Sequence, residues 1–184
     1  MPLHLRKMVA CLGLRERPLG SNRGPQINDW RRELGYRRPV PWCAIFCSVK
    51  SKEGKVRRPE VWSGRARDFV VGERSWKLSD VIYRRYTPQP GDYRVKTRRG
   101  GNHVDVFVSW DDEQRRGWVI GGNVSHRVKL REITLRRMMV DGTTHITEVD
   151  GFHAYRSDED LSKYLPEQDT GSDADAAQAP ASED

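Results

Sequence analysis

The chain changes its hydrophobic period once, at Thr87-Pro88-Gln89-Pro90-Gly91-Asp92. Before this segment apolar residues recur at helical spacing, and after it they alternate. Two prolines and a glycine within six residues make the segment itself a tight turn. A chain that runs helices first and strands second folds as α+β, with a largely antiparallel sheet, and not as alternating βα units.

On the N-terminal side the spacing predicts a short helix within Leu3–Leu14. A second runs from Gln26 to Leu34, with Ile27, Trp30 and Leu34 on one stripe and Gly35 as its stop. Pro39-Val40-Pro41 then leads into Trp42-Cys43-Ala44-Ile45-Phe46-Cys47-Ser48, a helix expected to reach about Lys50. Apolar on so many sides, it is expected to be buried on several sides. Ser63–Val71 and Ser79–Tyr86 read as two further short helices. Beyond the turn, Tyr93–Thr97 is a strand, and His103–Trp110 is the clearest strand in the chain. Trp118–Ile120, Val128–Ile133, Thr144–Val149 and Phe152–Tyr155 complete a sheet of about five strands. Met138–Asp141 fits neither period.

Composition shifts at Ser157. Residues 157–184 hold nine acidic residues and one lysine, a charge of −8, with few large apolar residues. Such a segment cannot bury a core and is expected to be mostly disordered. The boundaries are therefore one domain at 1–156 and an acidic tail at 157–184. Met1–Arg156 carries 32 basic and 17 acidic residues, a charge of +15. A body this basic is attracted to polyanions such as acidic cell-wall polymers, nucleic acid or an anionic membrane. No apolar run approaches the roughly 20 residues that span a bilayer. Charge interrupts the N-terminal apolar stretch and no small-residue cleavage signal follows, so no signal peptide is expected. Synthesis in the cytoplasm, with passage to the cell wall or periplasm by export, lysis or injection, is the expectation. Three cysteines are too few, and odd in number, for a disulfide framework.

Pro41 is pre-set for the first turn of a helix. Cys43 falls in that turn, where unpaired N–H groups and the helix dipole favour a thiolate. Cys47, one turn later, reads as packing. His103 opens the clearest strand. A thiol at a helix start facing an imidazole on a strand is the layout of a cysteine–histidine hydrolase. The imidazole takes the thiol proton and returns it to the leaving amine. A third polar group must hold the ring. If the strand ending Gly121-Gly122-Asn123 pairs with the His103 strand, Asn123 lies near His103 as an orienting amide. Asp105, on the His103 face, is the rival orienter. His126 and His145 read as surface histidines. Trp42, Trp62 and Trp76 are candidates to line a substrate groove, with core packing as the competing reading.

The motifs Pro41-Trp42-Cys43-Ala44-Ile45-Phe46, Pro88-Gln89-Pro90-Gly91-Asp92, Asn102-His103-Val104-Asp105-Val106-Phe107-Val108 and Val119-Ile120-Gly121-Gly122-Asn123 resemble the CHAP-type amidases and peptidases. That family belongs to the papain-like clan of bacterial cell-wall hydrolases. The resemblance runs from about Ser21 to Tyr155, and departs where Asp105 replaces a small residue. It implies a papain-like fold, with the nucleophile helix packed on the sheet, and no metal or organic cofactor. It implies Cys43 as nucleophile, His103 as base and Asn123 as orienter, cleaving amide bonds of peptidoglycan. Implied partners beyond peptidoglycan are a phage holin, a phage tail, a secretion apparatus or an immunity protein. The rival reading is a basic nucleic-acid-binding protein or nuclease with a structural Cys43, although the chain offers no recognition element. A third is a catalytically inactive relative that only binds cell wall.

Overall fold

The computed structural model of the 184-residue chain describes residues 1–56, 62–98 and 100–149. Three helices come first: α1 (Leu3–Val9), α2 (Pro25–Glu33) and α3 (Cys43–Glu53). The strands are β1 (Ser75–Lys77), β2 (Tyr93–Arg98), β3 (Gly101–Asp111), β4 (Arg116–Val124), β5 (Arg127–Thr134) and β6 (Thr143–Thr147). Two short helices, α4 (Leu78–Ile82) and α5 (Leu135–Val140), lie among them. The six strands form one sheet in the order β1-β6-β2-β3-β4-β5, and every neighbouring pair is antiparallel.

Helix α3 is the central packing element. Its residues Cys43 through Ser51 are all buried, because α1, α2 and the sheet surround it. Strand alternation assigns the sheet faces. Tyr93 pairs with Val106, and its hydroxyl bonds the hydroxyl of Ser51 on α3, so these residues face the helix. Val104 and Val106 join Trp30, Trp42, Phe46 and Val49 in that core. On the other face Phe107, Val119, Ile133 and Ile146 pack with Val81 of α4 and Met138 of α5. The result is three layers: α1–α3, the sheet, and the small α4–α5 layer.

Local chemistry explains the joints. The Pro88–Asp92 turn is closed by the Asp92 carboxylate, which accepts from the Tyr86 hydroxyl (2.5 Å), the Gln89 N–H (2.7 Å) and the Val149 N–H (3.3 Å). A Cβ on Gly122 would stand 2.7 Å from Phe46 Cβ and 2.8 Å from Trp42 Cζ3. Only glycine lets β4 approach α3 this closely. Residues 13–16 cover the start of the outer edge of β5, through Gly13 N–H to Val128 O, Val128 N–H to Leu14 O and Glu16 N–H to His126 O.

Several expectations change. Among the described residues the sheet has six strands where about five were expected; β1, three residues long, leaves no readable alternation. Met138–Asp141 ends a helix begun at Leu135, capped by Thr134 Oγ1 accepting the Arg137 N–H. The Ser63–Val71 helix is reduced to a 3₁₀ turn at Ala66–Phe69, and a second 3₁₀ turn follows at Gly72–Arg74. Helix α3 starts at Cys43 with Trp42 as its cap, two residues past Pro41. The expected strand at Phe152–Tyr155, the boundary at 156 and the acidic tail lie outside the described residues.

Candidate active site

Cys43 is the first residue of α3, and the first bond of the helix runs from Phe46 N–H to Trp42 O at 2.9 Å. The N–H groups of Cys43 and Ala44 are therefore left over, and both are directed at the Cys43 sulfur. The Val104 N–H of β3 joins them. The β3–β4 ladder runs from Asp111–Arg116 to Val106–Ile120, and Val104 lies two residues beyond it. There the sulfurs of α3 meet its peptide groups: Cys43 meets the N–H, and the Cys47 thiol donates to the C=O at 3.9 Å. The candidate nucleophile thus abuts the peptide that joins Val104 to His103.

The expected thiolate is not favoured. Cys43 is 6% exposed, and burial pushes its pKa up despite the N–H groups of Val104, Ala44 and Cys43, which act the other way. The helix-start effect is present and is outweighed by desolvation.

His103 stands opposite Lys96 in the β2–β3 ladder, and Asp105 stands opposite Arg94. Alternation puts these four side chains on the sheet face away from α3. Asp105 is fully buried, and burial alone would raise its pKa. The charges and hydrogen bonds of Arg94 and Arg131 overcome this and hold it far below the carboxylate range. Its Oδ1 accepts from Arg94 Nε at 2.7 Å. Its Oδ2 accepts from Arg94 Nη2 at 2.6 Å and from Arg131 Nη2 at 2.7 Å. Asp141 pairs with Arg94 at 3.2 Å and with Lys96 at 3.3 Å.

The imidazole of His103 is pushed down to about 3, first by burial and then by Lys96, Arg131 and Arg94, against the pull of Asp105. Its Nε2 has no hydrogen-bond partner and lies 3.7 Å from Asp105 Oδ2, too far for a hydrogen bond. A Cβ on Gly121 would stand 3.0 Å from Asp105 Cβ and 3.4 Å from Nε2, so that glycine lets Asp105 pack close against β4. Cys43 therefore stands on the α3 side of the sheet and the His103 side chain on the other; both groups are neutral at pH 7, and Nε2 makes no bond to the sulfur.

Asn123 sits at φ +56° in the irregular stretch between the Gly121–Lys129 and Val124–Arg127 pairs. Its amide nitrogen donates to Asn22 Oδ1 at 3.2 Å, tying β4 to the loop before α2. The group beside His103 is Asp105, not Asn123.

The tryptophans divide. Trp42 is fully buried, with its indole N–H on Glu16 Oε1 at 2.8 Å and its ring packed with Trp30 and Phe46, so it belongs to the core and lines no groove. Trp76 is half-buried on the far sheet face, stacked on Tyr86 with ring centroids 4.9 Å apart. Trp62 is exposed, with the Lys52 ammonium 5.8 Å from its ring centre. His126 is half-exposed, its Nδ1 3.4 Å from Glu16 Oε2.

The Arg94–Asp105–Arg131 cluster is absent from the sequence reading. Its signal was there: Arg94, Lys96, His103 and Asp105 occupy every second position of two neighbouring strands. Alternating charge on a strand ordinarily marks a solvated face, and here that face is covered. Among the described residues no group of three His, Cys, Asp or Glu side chains is placed to hold a metal, and no helix is long and apolar enough to cross a membrane.

No family model, no curated protein and no solved structure matches the chain.

Proposed function

We propose that the chain is a cysteine hydrolase of papain-like, CHAP-type architecture that cleaves amide bonds of peptidoglycan, as an N-acetylmuramoyl-L-alanine amidase or an endopeptidase. One observation carries this reading: Cys43 opens the central helix with its sulfur against the Val104 N–H, one peptide bond from His103. In this reading the Cys43 sulfur attacks the amide carbon. His103 accepts the thiol proton and delivers it to the leaving amine. The N–H groups of Cys43 and Ala44, which open the helix, hold the developing oxyanion. Water then releases the acyl group from sulfur. The +15 charge of residues 1–156 concentrates the protein on an anionic wall.

A specific observation favours a second reading, an inactive wall-binding relative. Cys43 is buried and its thiol form is favoured, and the His103 side chain leaves the other face of the sheet. Purified peptidoglycan incubated with the wild type and with Cys43→Ala separates the two. The hydrolase reading expects new amine and carboxyl ends in the mass spectrum for the wild type and none for Cys43→Ala, with both variants folded by circular dichroism. Sedimentation with the wall but no cleavage by either supports the inactive relative. Cleavage by Cys43→Ala removes Cys43 as nucleophile.

A further inference from the structure

His103 is held apart from its nearest carboxylate by a competing pair of arginines. Asp105 Oδ2 accepts from Arg94 Nη2 and from Arg131 Nη2, which fills both of its lone-pair directions. The same oxygen is the one 3.7 Å from His103 Nε2. The buried nitrogen therefore finds no partner although a carboxylate stands beside it.

The two arginines are not equivalent. Arg94 is fully buried and grips both Asp105 oxygens, with Asp141 behind it. Arg131, from β5, is 22% exposed, touches Asp105 through one nitrogen, and keeps an unpartnered Nε. Arg94 is a fixture and Arg131 can leave. The surrounding group holds three cations, Arg94, Lys96 and Arg131, against two carboxylates, Asp105 and Asp141. It carries one positive charge in excess, and Lys129 lies exposed on the same strand as Arg131, opposite Gly121. An arriving anion is attracted to this group.

We propose that Arg131 is a positioning residue that recognises a carboxylate on the substrate. Bound to that carboxylate, its guanidinium lets go of Asp105 Oδ2, and the freed lone pair accepts the His103 Nε2–H. His103 is then oriented by Asp105 through Nε2–H, which leaves Nδ1 as the unprotonated ring nitrogen. The substrate class is a peptide bearing a free carboxyl group near the scissile amide. The clamp is a property of the resting protein, and only its catalytic consequence rests on the hydrolase reading.

Ring-nitrogen NMR of His103 tests the clamp without any turnover. Arg131→Gln, and Arg131→Lys as a variant that keeps the charge but not the fork, are compared with the wild type. In Arg131→Gln the His103 pKa rises by about one unit or more, since a cation leaves and a hydrogen bond to a carboxylate forms. Its Nε2–H becomes resistant to exchange. Sodium acetate moves the wild-type His103 signals in the same direction and saturates, while sodium chloride at matched ionic strength does not. An unchanged His103 in Arg131→Gln, or acetate and chloride acting alike, overturns the proposal.

The kinetic arm uses muropeptides with free or amidated carboxyl groups. The wild type prefers the free form by about tenfold or more, and Arg131→Gln loses that preference through kcat as well as KM. No preference in a cleaving wild type also overturns carboxylate recognition. Absence of all cleavage, with the His103 shift intact, removes the hydrolase reading and leaves the clamp standing.

Discussion

At Cys43 two local effects oppose each other. Three N–H groups stabilise a thiolate, and near-complete burial penalises it more. The expected outcome is slow alkylation by iodoacetamide at pH 7 that accelerates as the pH passes the ordinary thiol range, measured by mass spectrometry of the Cys43 peptide. Fast alkylation at pH 7 would show that the dipole prevails over burial. The two buried histidines set a pH dependence. His4 Nε2 donates to the Gly91 carbonyl oxygen at 3.2 Å; burial pushes His4 down to about 4, and His103 down to about 3. An unfolded histidine binds its proton near 6.5, so the unfolded chain protonates first as the pH falls. The stability present above pH 6.5 is therefore lost progressively toward pH 4 and below. His4 alone accounts for about 3 kcal/mol across that window. In urea unfolding, His4→Gln loses less stability than the wild type between pH 7 and 4.5. What the sequence disclosed at this scale was residue type and order: Cys43 at a helix start, His103 on a strand, Asp105 two residues on. It could not disclose that Arg131, 26 residues beyond Asp105, would claim the same oxygen, because that contact depends on how β4 and β5 fold back.

The elements were more legible than the residues. Helix α2 and strands β2 to β5 lie within a few residues of the positions read from periodicity, since each presents a clean apolar stripe or alternation. Short pieces escaped, because β1 and the 3₁₀ turns owe their shape to neighbours: Ser75 Oγ bonds Thr147 Oγ1 at 2.8 Å, and Ser63 Oγ bonds Asp68 at 2.6 Å. Gly122 serves to bring β4 against α3. Gly122→Ala therefore drives a methyl into Phe46 and Trp42 and lowers stability by about 1–3 kcal/mol, read from the thermal midpoint. Asp92→Ala strips acceptors from Tyr86, Gln89 and Val149 and costs a similar amount, about 2–3 kcal/mol. If Asp92→Ala melts with the wild type, the turn is not what joins the helical and strand halves.

Over the whole molecule, charge is the property most open to inspection in the sequence, since it is a sum that no folding detail alters. Residues 1–156 carry +15 and residues 157–184 carry −8. Binding to isolated cell walls should weaken as the screening length contracts from about 10 Å at 0.1 M salt to about 3 Å at 1 M. A chain ending at Arg156 should hold on to higher salt than the full chain, by co-sedimentation. Equal salt profiles would mean that the acidic segment does not weaken the attraction. The α+β class was also foreseeable, because the three larger helices precede the long strands; the α4–α5 layer was not.

The strap formed by residues 13–16 has a practical bearing on how the protein can be trimmed. It supplies backbone partners to β5, while the opposite margin of the sheet, β1, offers only three residues for pairing. Cutting the chain ahead of Pro18 would bare the Arg127–Val128 end of β5 and lengthen an outer edge able to template strands from other copies. Shortened versions should cloud and form fibrils under conditions in which the intact chain stays clear.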